Sequence, residues 1–227
     1  MPVTERGTRI KRAREARGWT QAEVAERLGV SQGYVSLLES GGRPVPDRLV
    51  PRLRRVLALP PTALPVRESN LNPDRLPGAL AALGYEPFGY LRGRAYNPAD
   101  VLLSALRQKD LAARVVEGLP WVALNHPDLD WKRLFERARV HDLQNRLAYV
   151  LTLARDVAAG HGDGHRATQL QGLVSELEPS RLAREDTLCR ESMTQAERRL
   201  LRDRRPREAQ HWKLLTSLSV AELSYAA

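Results

Sequence analysis

Few residues of this chain are spaced for chemistry. The tightest polar cluster is "HGDGH", in which His161, Asp163 and His165 are of the types that ligate a transition metal. The interleaved glycines scatter such side chains rather than hold them, and no helix presents two histidines four residues apart on one face. A polar loop is the expectation there. In "NHPDLDW", His126, Asp128 and Asp130 lie close together, but acids just ahead of a helix are favoured as caps and by the helix dipole. Capping is the expectation for these. Cys189 is the only cysteine, which excludes an intrachain disulfide and a four-cysteine zinc site and fits a buried, inert thiol in a reducing compartment. No phosphate-cradling glycine loop, "GxSxG" or "HExxH" occurs. The expectation is therefore no enzyme, no cofactor and no metal.

What the chain has in excess is positive charge, formally +9 over 227 residues. Residues 1–67 carry 13 Lys and Arg against 6 Asp and Glu, a net of +7, while residues 68–227 carry 23 against 21, a net of +2. A coding bias towards G and C explains why arginine predominates, but not why the surplus sits at one end. A concentrated basic field fits a polyanionic partner. Nucleic acid fits better than a membrane surface, because no basic amphipathic run carries Trp, Phe or Leu on its other face. No apolar run approaches 18 residues, and the amino end lacks the succession of a signal peptide, so neither insertion nor export is expected and the location reads as cytoplasmic.

The elements that must position these residues are helices. "EVAERL", "PADVLLSALRQ", "DLAARVVEGL", "DWKRLFERARVHDLQNRLAYVLTLARDVAAG" and "ATQLQGLVSELE" repeat apolar residues at three- and four-residue intervals. Period-two alternation is absent, and the fold class reads as all-α. Thr20 with Glu23, Thr194 with Glu197 and Ser219 with Glu222 are spaced as capping boxes, and Asn97-Pro98 offers a cap followed by proline. Gly18, Gly29, Gly84, Gly118 and Gly160 mark expected helix ends. From Pro60 to Pro77, "PPTALPVRESNLNPDRLP" holds five prolines and little apolar surface, which reads as a linker. The expected domains are 1–66, a linker and turn-rich approach segment over 67–96, and a helical domain over 97–227. No repeat of 30 to 45 residues supports a solenoid.

The stretch "TQAEVAERLGVSQGYVSLLES", Thr20 to Ser40, has the parts that two helices crossing through a very short turn require. Gly29 can adopt the left-handed backbone of the turn, Ala25 is small where the helices cross, and Val24, Leu28, Val30, Val35 and Leu38 line the inner faces. A helix-turn-helix is the reading. Over about residues 6–65, "RIKRAREARGWTQAEVAERLGVSQGYVSLLESGGRPVP" resembles the lambda-repressor-like, or Cro/CI/XRE-type, helix-turn-helix DNA-binding family. The shared features are a basic first helix, a Gly-Trp-Thr-Gln lead-in, the motif itself and an "LE.G" closure. The resemblance implies a five-helix domain whose second motif helix lies in the major groove of double-stranded operator DNA, with the protein acting as a dimer.

The resemblance also assigns roles. Gln21 and Gln32 fall on two glutamines that bond each other, the second presenting its amide to adenine, and Ser31 caps the recognition helix. Gly33, Ser36 and Leu37 would face the groove; Gly33 departs from the polar residue often found there and contributes no donor. Lys11, Arg12 and Arg43 are the expected phosphate contacts, joined by Tyr34, for which packing on the domain is an equal alternative. Arg14 and Glu39 align with an intradomain ion pair. Trp19, Ile10, Leu49, Leu53 and Val56 complete the expected core, and Pro51 implies a bent or late-starting helix.

The larger domain yields less. Its helices do not resemble the strand-rich, self-cleaving Ser–Lys domain attached to some repressors of that family. Trp121 and Trp131 read as core anchors. Trp212 reads either as core or as a partner surface, in a basic segment with Pro206 leading to a short terminal amphipathic helix. A helix from about Val140 to Ala159, with Leu143, Leu147, Val150, Leu151 and Ala154, is either a homodimer seam or a seam buried within one chain. The functional expectation is a sequence-specific, dimeric transcriptional (auto)repressor. The alternative is an antitoxin that neutralises a cognate toxin or other protein partner through its helical domain and regulates its own operon.

Overall fold

The computed structural model describes residues 3–46, 48–64, 66 and 71–226, with side chains from residue 7 onward. The chain divides into two compact units, Met1–Val66 and Arg67–Ala227. The first holds α1 (Val3–Glu15), α2 (Gln21–Leu28), α3 (Gln32–Glu39) and α4 (Val50–Leu57), followed by a 3-10 turn at Pro61–Ala63. That turn stands where the fifth helix was expected. Pro60 is held extended, at ψ 159°, and prolines 60 and 61 together remove two backbone donors, so no longer helix can form. Pro51 lies in the first turn of α4, where no N–H is needed, and the helix starts late rather than bends.

The core of this unit is Ile10, Val24, Ala25, Leu28, Val35, Leu53 and Leu57, with Ala13, Trp19, Val30, Leu49 and Val56 packed half-buried against it. Gly29 closes α2 at φ 65°, and its N–H reaches the carbonyls of Ala25 and Glu26. Gly7 was not foreseen. A Cβ there would stand 2.5 Å from the Glu39 carbonyl oxygen, so only glycine lets α1 lie this close to the end of α3.

The second unit comprises α5 (Leu76–Leu83), α6 (Pro98–Leu106), α7 (Ala113–Asn125), α8 (Trp131–Val140), α9 (Gln144–Gly160), α10 (Gly164–Leu177), β1 (Asp186–Thr187), α11 (Gln195–Arg204), α12 (Arg207–His211) and β2 (Leu214–Leu215). β1 and β2 pair in parallel, Asp186 against Leu214 and Thr187 against Leu215. Residues 65 and 67–70 of the expected linker lie outside the described residues. The rest of the approach segment is a correction: Leu71, Leu76, Ala79, Leu80, Leu83, Tyr85 and Phe88 are buried in the second unit, so residues 71–88 pack into it rather than form a tether, while residues 89–96 run over its surface. The prolines there open short helices instead of breaking one, Pro73 in a 3-10 turn and Pro77 in α5.

α9 organises this unit, packing against α10, α7 and α8. Leu143, Leu147, Val150, Leu151 and Ala154 are all buried within the chain, so the seam is internal. Its polar residues are buried too, because they hold the carboxyl-terminal segment. Asn145 accepts from the Leu182 N–H at 2.8 Å and donates to the Trp212 carbonyl at 2.9 Å. Arg146 grips the Asp186 carboxylate at 2.7 and 2.8 Å and donates to the Leu106 and Gln108 carbonyls. Tyr149 donates to the Leu218 carbonyl, and Trp212 donates to Thr152.

Trp212 is accordingly core, while Trp121 and Trp131 are half-buried. The expected terminal amphipathic helix is replaced by β2 and a 3-10 turn at Val220–Glu222, and the segment is tied to β1 and α9 as well as to itself. Gly118 does not end a helix but sits inside α7, where a Cβ would meet Leu80 and Tyr85 at 3.1 Å. All three expected capping boxes are formed, at Thr20, Thr194 and Ser219.

Burial raises the Asp186 pKa, but the Arg146 hydrogen bond and charge outweigh it and leave the group below the usual aspartate value. A depressed carboxylate adds stability that is present above its unfolded pKa, about 3.9, and is lost as pH falls through the folded value. In urea unfolding at pH 6 and pH 3, Asp186→Asn is expected to lower stability at pH 6 and shrink the loss on acidification. An unchanged acid limb would show that this pair does not stabilise the fold.

Candidate nucleic-acid interface

The site is built from the motif outward. Thr20 begins α2 as a capping box, its side chain accepting from the Glu23 N–H while Glu23 returns a bond to the Thr20 N–H at 2.7 Å. Ser31 begins α3, accepting from the Tyr34 N–H at 3.2 Å. These caps fix where each helix starts and hence where Gln21 and Gln32 project, one residue inside each.

Four side chains form a continuous hydrogen-bonded chain. Arg14 of α1 donates from Nε and Nη2 to the two oxygens of Glu39 at 2.7 and 3.0 Å, and from Nη1 to the Trp19 carbonyl at 2.8 Å. Gln21 donates to Glu39 at 2.9 Å, and Gln32 donates to the Gln21 oxygen at 2.7 Å. The Glu39 side chain is 3 % exposed and that of Arg14 12 %. The bond to Glu39, opposed by desolvation, raises the Arg14 pKa above its already high value.

The chain sets amide polarity. A carboxylate only accepts, so Gln21 must turn its NH2 towards Glu39 and its oxygen towards Gln32. Gln32 then spends one N–H on Gln21 and keeps its carbonyl oxygen and a second N–H for a partner. One donor beside one acceptor is the pattern an adenine edge matches in the major groove.

Beyond Gln32, the outward surface of α3 is open. Gln32 and Gly33 are exposed, Ser36 is half-buried, and Leu37 is 46 % exposed. A Cβ on Gly33 would meet nothing within 4 Å, so its backbone is free to be approached. Val35, Leu38 and Glu39 face inward. An exposed leucine among polar neighbours offers apolar contact of the kind a thymine methyl provides.

The basic residues expected to meet phosphate lie on α1 and in the segment after α3. Lys11 and Arg12 are exposed on α1, with Lys11 only loosely paired to Glu15 at 4.0 Å. Arg43 places its guanidinium 5.4 Å from the Tyr34 ring centroid, which joins the two in one cation–π unit. They line a shallow cleft of about 410 Å³ with Ser31, Pro46 and Arg48. Arg48 was missed from sequence. The only signal was its position five residues after Arg43, in a segment without helical period to show which way it points.

Residues 6–65 match the family described as a helix-turn-helix domain. This part of the chain is a helix-turn-helix domain. The architecture is that of DNA-binding regulators, and the domain has the elements and the exposed second helix that such binding uses. No curated protein and no solved structure matched the chain.

In the other candidate clusters two of the acids cap helices. His161 and Gly162 form an exposed turn before α10, whose first turn carries His165, and Asp163 caps the helix, accepting from the Arg166 N–H at 2.9 Å. Asp130 caps α8 in the same way, and His126 is buried against Trp121. Cys189 is buried, donates to the Ala105 carbonyl at 3.4 Å and, desolvated, has its pKa pushed up to about 11. Among the described residues no group of three or more His, Cys, Asp and Glu is placed to hold a metal ion. No described helix is long and apolar enough to cross a membrane.

Breaking the ion pair from one side tests how much the helix-turn-helix domain leans on it. Arg14→Leu strands the Glu39 carboxylate and is expected to cost about 3 kcal/mol of the domain's stability, in the range for an orphaned buried charge. Denaturant unfolding reads this. A loss below about 0.5 kcal/mol, the level of a surface substitution, would show that Glu39 is solvated in its absence.

Proposed function

We propose that the protein is a sequence-specific DNA-binding regulator that represses transcription by occluding a promoter, two copies reading operator half-sites about one helical turn apart. The observation that carries this reading is the Gln21–Gln32 bond at 2.7 Å, with Gln32 exposed at the start of α3 and its remaining donor and acceptor turned outward. Gln32 reads an adenine, Leu37 touches a neighbouring methyl, and Ser36 bonds a base or phosphate. Gly33 contributes access rather than a hydrogen bond.

Lys11, Arg12 and Arg43 neutralise phosphates, and Tyr34 fixes the Arg43 guanidinium from beneath. These contacts carry no sequence information; they fix register so that the amide meets one base pair. The surplus of charge in the first 67 residues supports this division, since an electrostatic field attracts any duplex and the amide selects among them. The work is that of binding, and it belongs in the cytoplasm with the chromosome.

Two variants separate the roles. Gln32→Ala is expected to weaken binding to the selected operator by about 1–3 kcal/mol, roughly 5- to 150-fold, while leaving binding to random duplex unchanged. Equal losses on both duplexes would remove Gln32 from base recognition. Lys11→Glu with Arg12→Glu is expected to weaken both duplexes and to reduce the slope of log affinity against log salt by about 0.9 for each phosphate that is no longer neutralised. An unaltered slope would show that neither residue meets a phosphate.

A further inference from the structure

We propose that the cavity at the amino end of α7 is a binding site for a small organic cation with an apolar body. The cavity is a half-open cleft lined by residues of the second unit, with a volume of about 770 Å³, within the range of roughly 300–1,000 Å³ typical of small-molecule sites. Val115 and Val116 from α7, Leu188 and Met193 from the segment after β1, and Leu215 of β2 supply its apolar walls.

Charge selects the occupant. Among the described residues, Asp74, Asp110, Glu117 and Glu222 line the cavity with one basic lining residue, Arg190, and Lys109 beside Asp110. Arg190 is committed elsewhere, its Nη2 donating to Glu197 at 2.8 Å. Asp110 accepts from the Ser192 N–H at 2.9 Å and Glu222 from the Ser219 N–H at 3.1 Å; backbone amides stabilise these carboxylates without cancelling their charge. A chain of formal net charge +9 thus gathers four carboxylates around this cleft, which makes its surroundings locally attractive to a cation.

One feature pulls the other way. The first turn of α7 has no side-chain cap, because Ala112 cannot provide one. A helix amino terminus is worth roughly half a positive charge, so it would favour an anion. Four carboxylates outweigh it. The site therefore selects an ammonium head at the rim and an alkyl or aryl body against the walls.

The measurement is calorimetric titration of the full chain with n-octylammonium, octanoate and octanol at equal ionic strength. Octylammonium is expected to bind at least about tenfold more tightly than the other two, a margin of about 1.4 kcal/mol for the charge. Ala113→Trp, at an exposed lining position, should weaken octylammonium at least about tenfold by filling the mouth. Glu117→Gln should narrow the preference over octanol, with far-UV circular dichroism confirming both folds. No saturable binding, or octanoate or octanol binding as tightly as octylammonium, would overturn the proposal. So would octylammonium affinity left unchanged by both variants, which would place the ligand elsewhere. None of these outcomes depends on how the first unit meets DNA.

Discussion

Glu39 sits at the end of α3 with almost no contact with water, and what it holds there determines what the first unit can do. Its carboxylate takes two bonds from Arg14 and one from Gln21, so a single buried charge ties α1 to α3 and α2 to α3. Such a group is costly to bury, and even when paired it is often no better for stability than apolar residues of the same size. Its value here lies in specification. An apolar residue would let Gln21 rotate, and the polarity passed on to Gln32 would be lost. In the proposed reading, fold and recognition are coupled because the same carboxylate terminates both the ion pair and the amide chain.

The rest of the domain follows from that constraint. Gly7 brings α1 to the carbonyl of Glu39, Gly29 turns α2 into α3, and the Thr20 and Ser31 caps fix the rotational setting of the two glutamines. A small core of seven buried residues holds these parts in place. Leu37 stays exposed on the outward face of α3, where the proposed groove contact would cover it. The second unit obeys a different logic, with most of α9 buried and its residues Asn145, Arg146 and Tyr149 serving as anchors for the carboxyl-terminal segment.

Much of the first unit was legible from sequence because its signals are local. Thr20-x-x-Glu23, a glycine at the turn and a 3.6-residue period act within one or two helical turns, and local physics suffices to read them. The resemblance in turn aligned Arg14 with Glu39 and Gln21 with Gln32, pairs that no spacing rule would join across 25 and 11 residues. What escaped notice was non-local. Arg48 lies on an irregular segment, and Gly7 matters only because α3 passes beside it. In the second unit, prolines 73 and 77 look the same whether they open buried helices or break a linker. Only the burial of Leu76, Leu80 and Leu83 decides between them. Gly118 looks like a helix end until Leu80 and Tyr85 are found against it. The terminal segment has no period of its own, because its partners are Asn145, Arg146 and Tyr149, some 40 to 70 residues away in sequence.

The central claim is that a buried carboxylate orients an amide towards one adenine. Its most direct test uses an operator recovered by selection from random duplex, in which each adenine is replaced in turn by 7-deazaadenine, removing only the N7 acceptor. One position per half-site is expected where replacement weakens the wild-type protein by about tenfold, in line with a bidentate amide contact, and where the Gln32→Ala protein is indifferent. Uniform tolerance of 7-deazaadenine by the wild-type protein, or equal sensitivity in the variant, would contradict it.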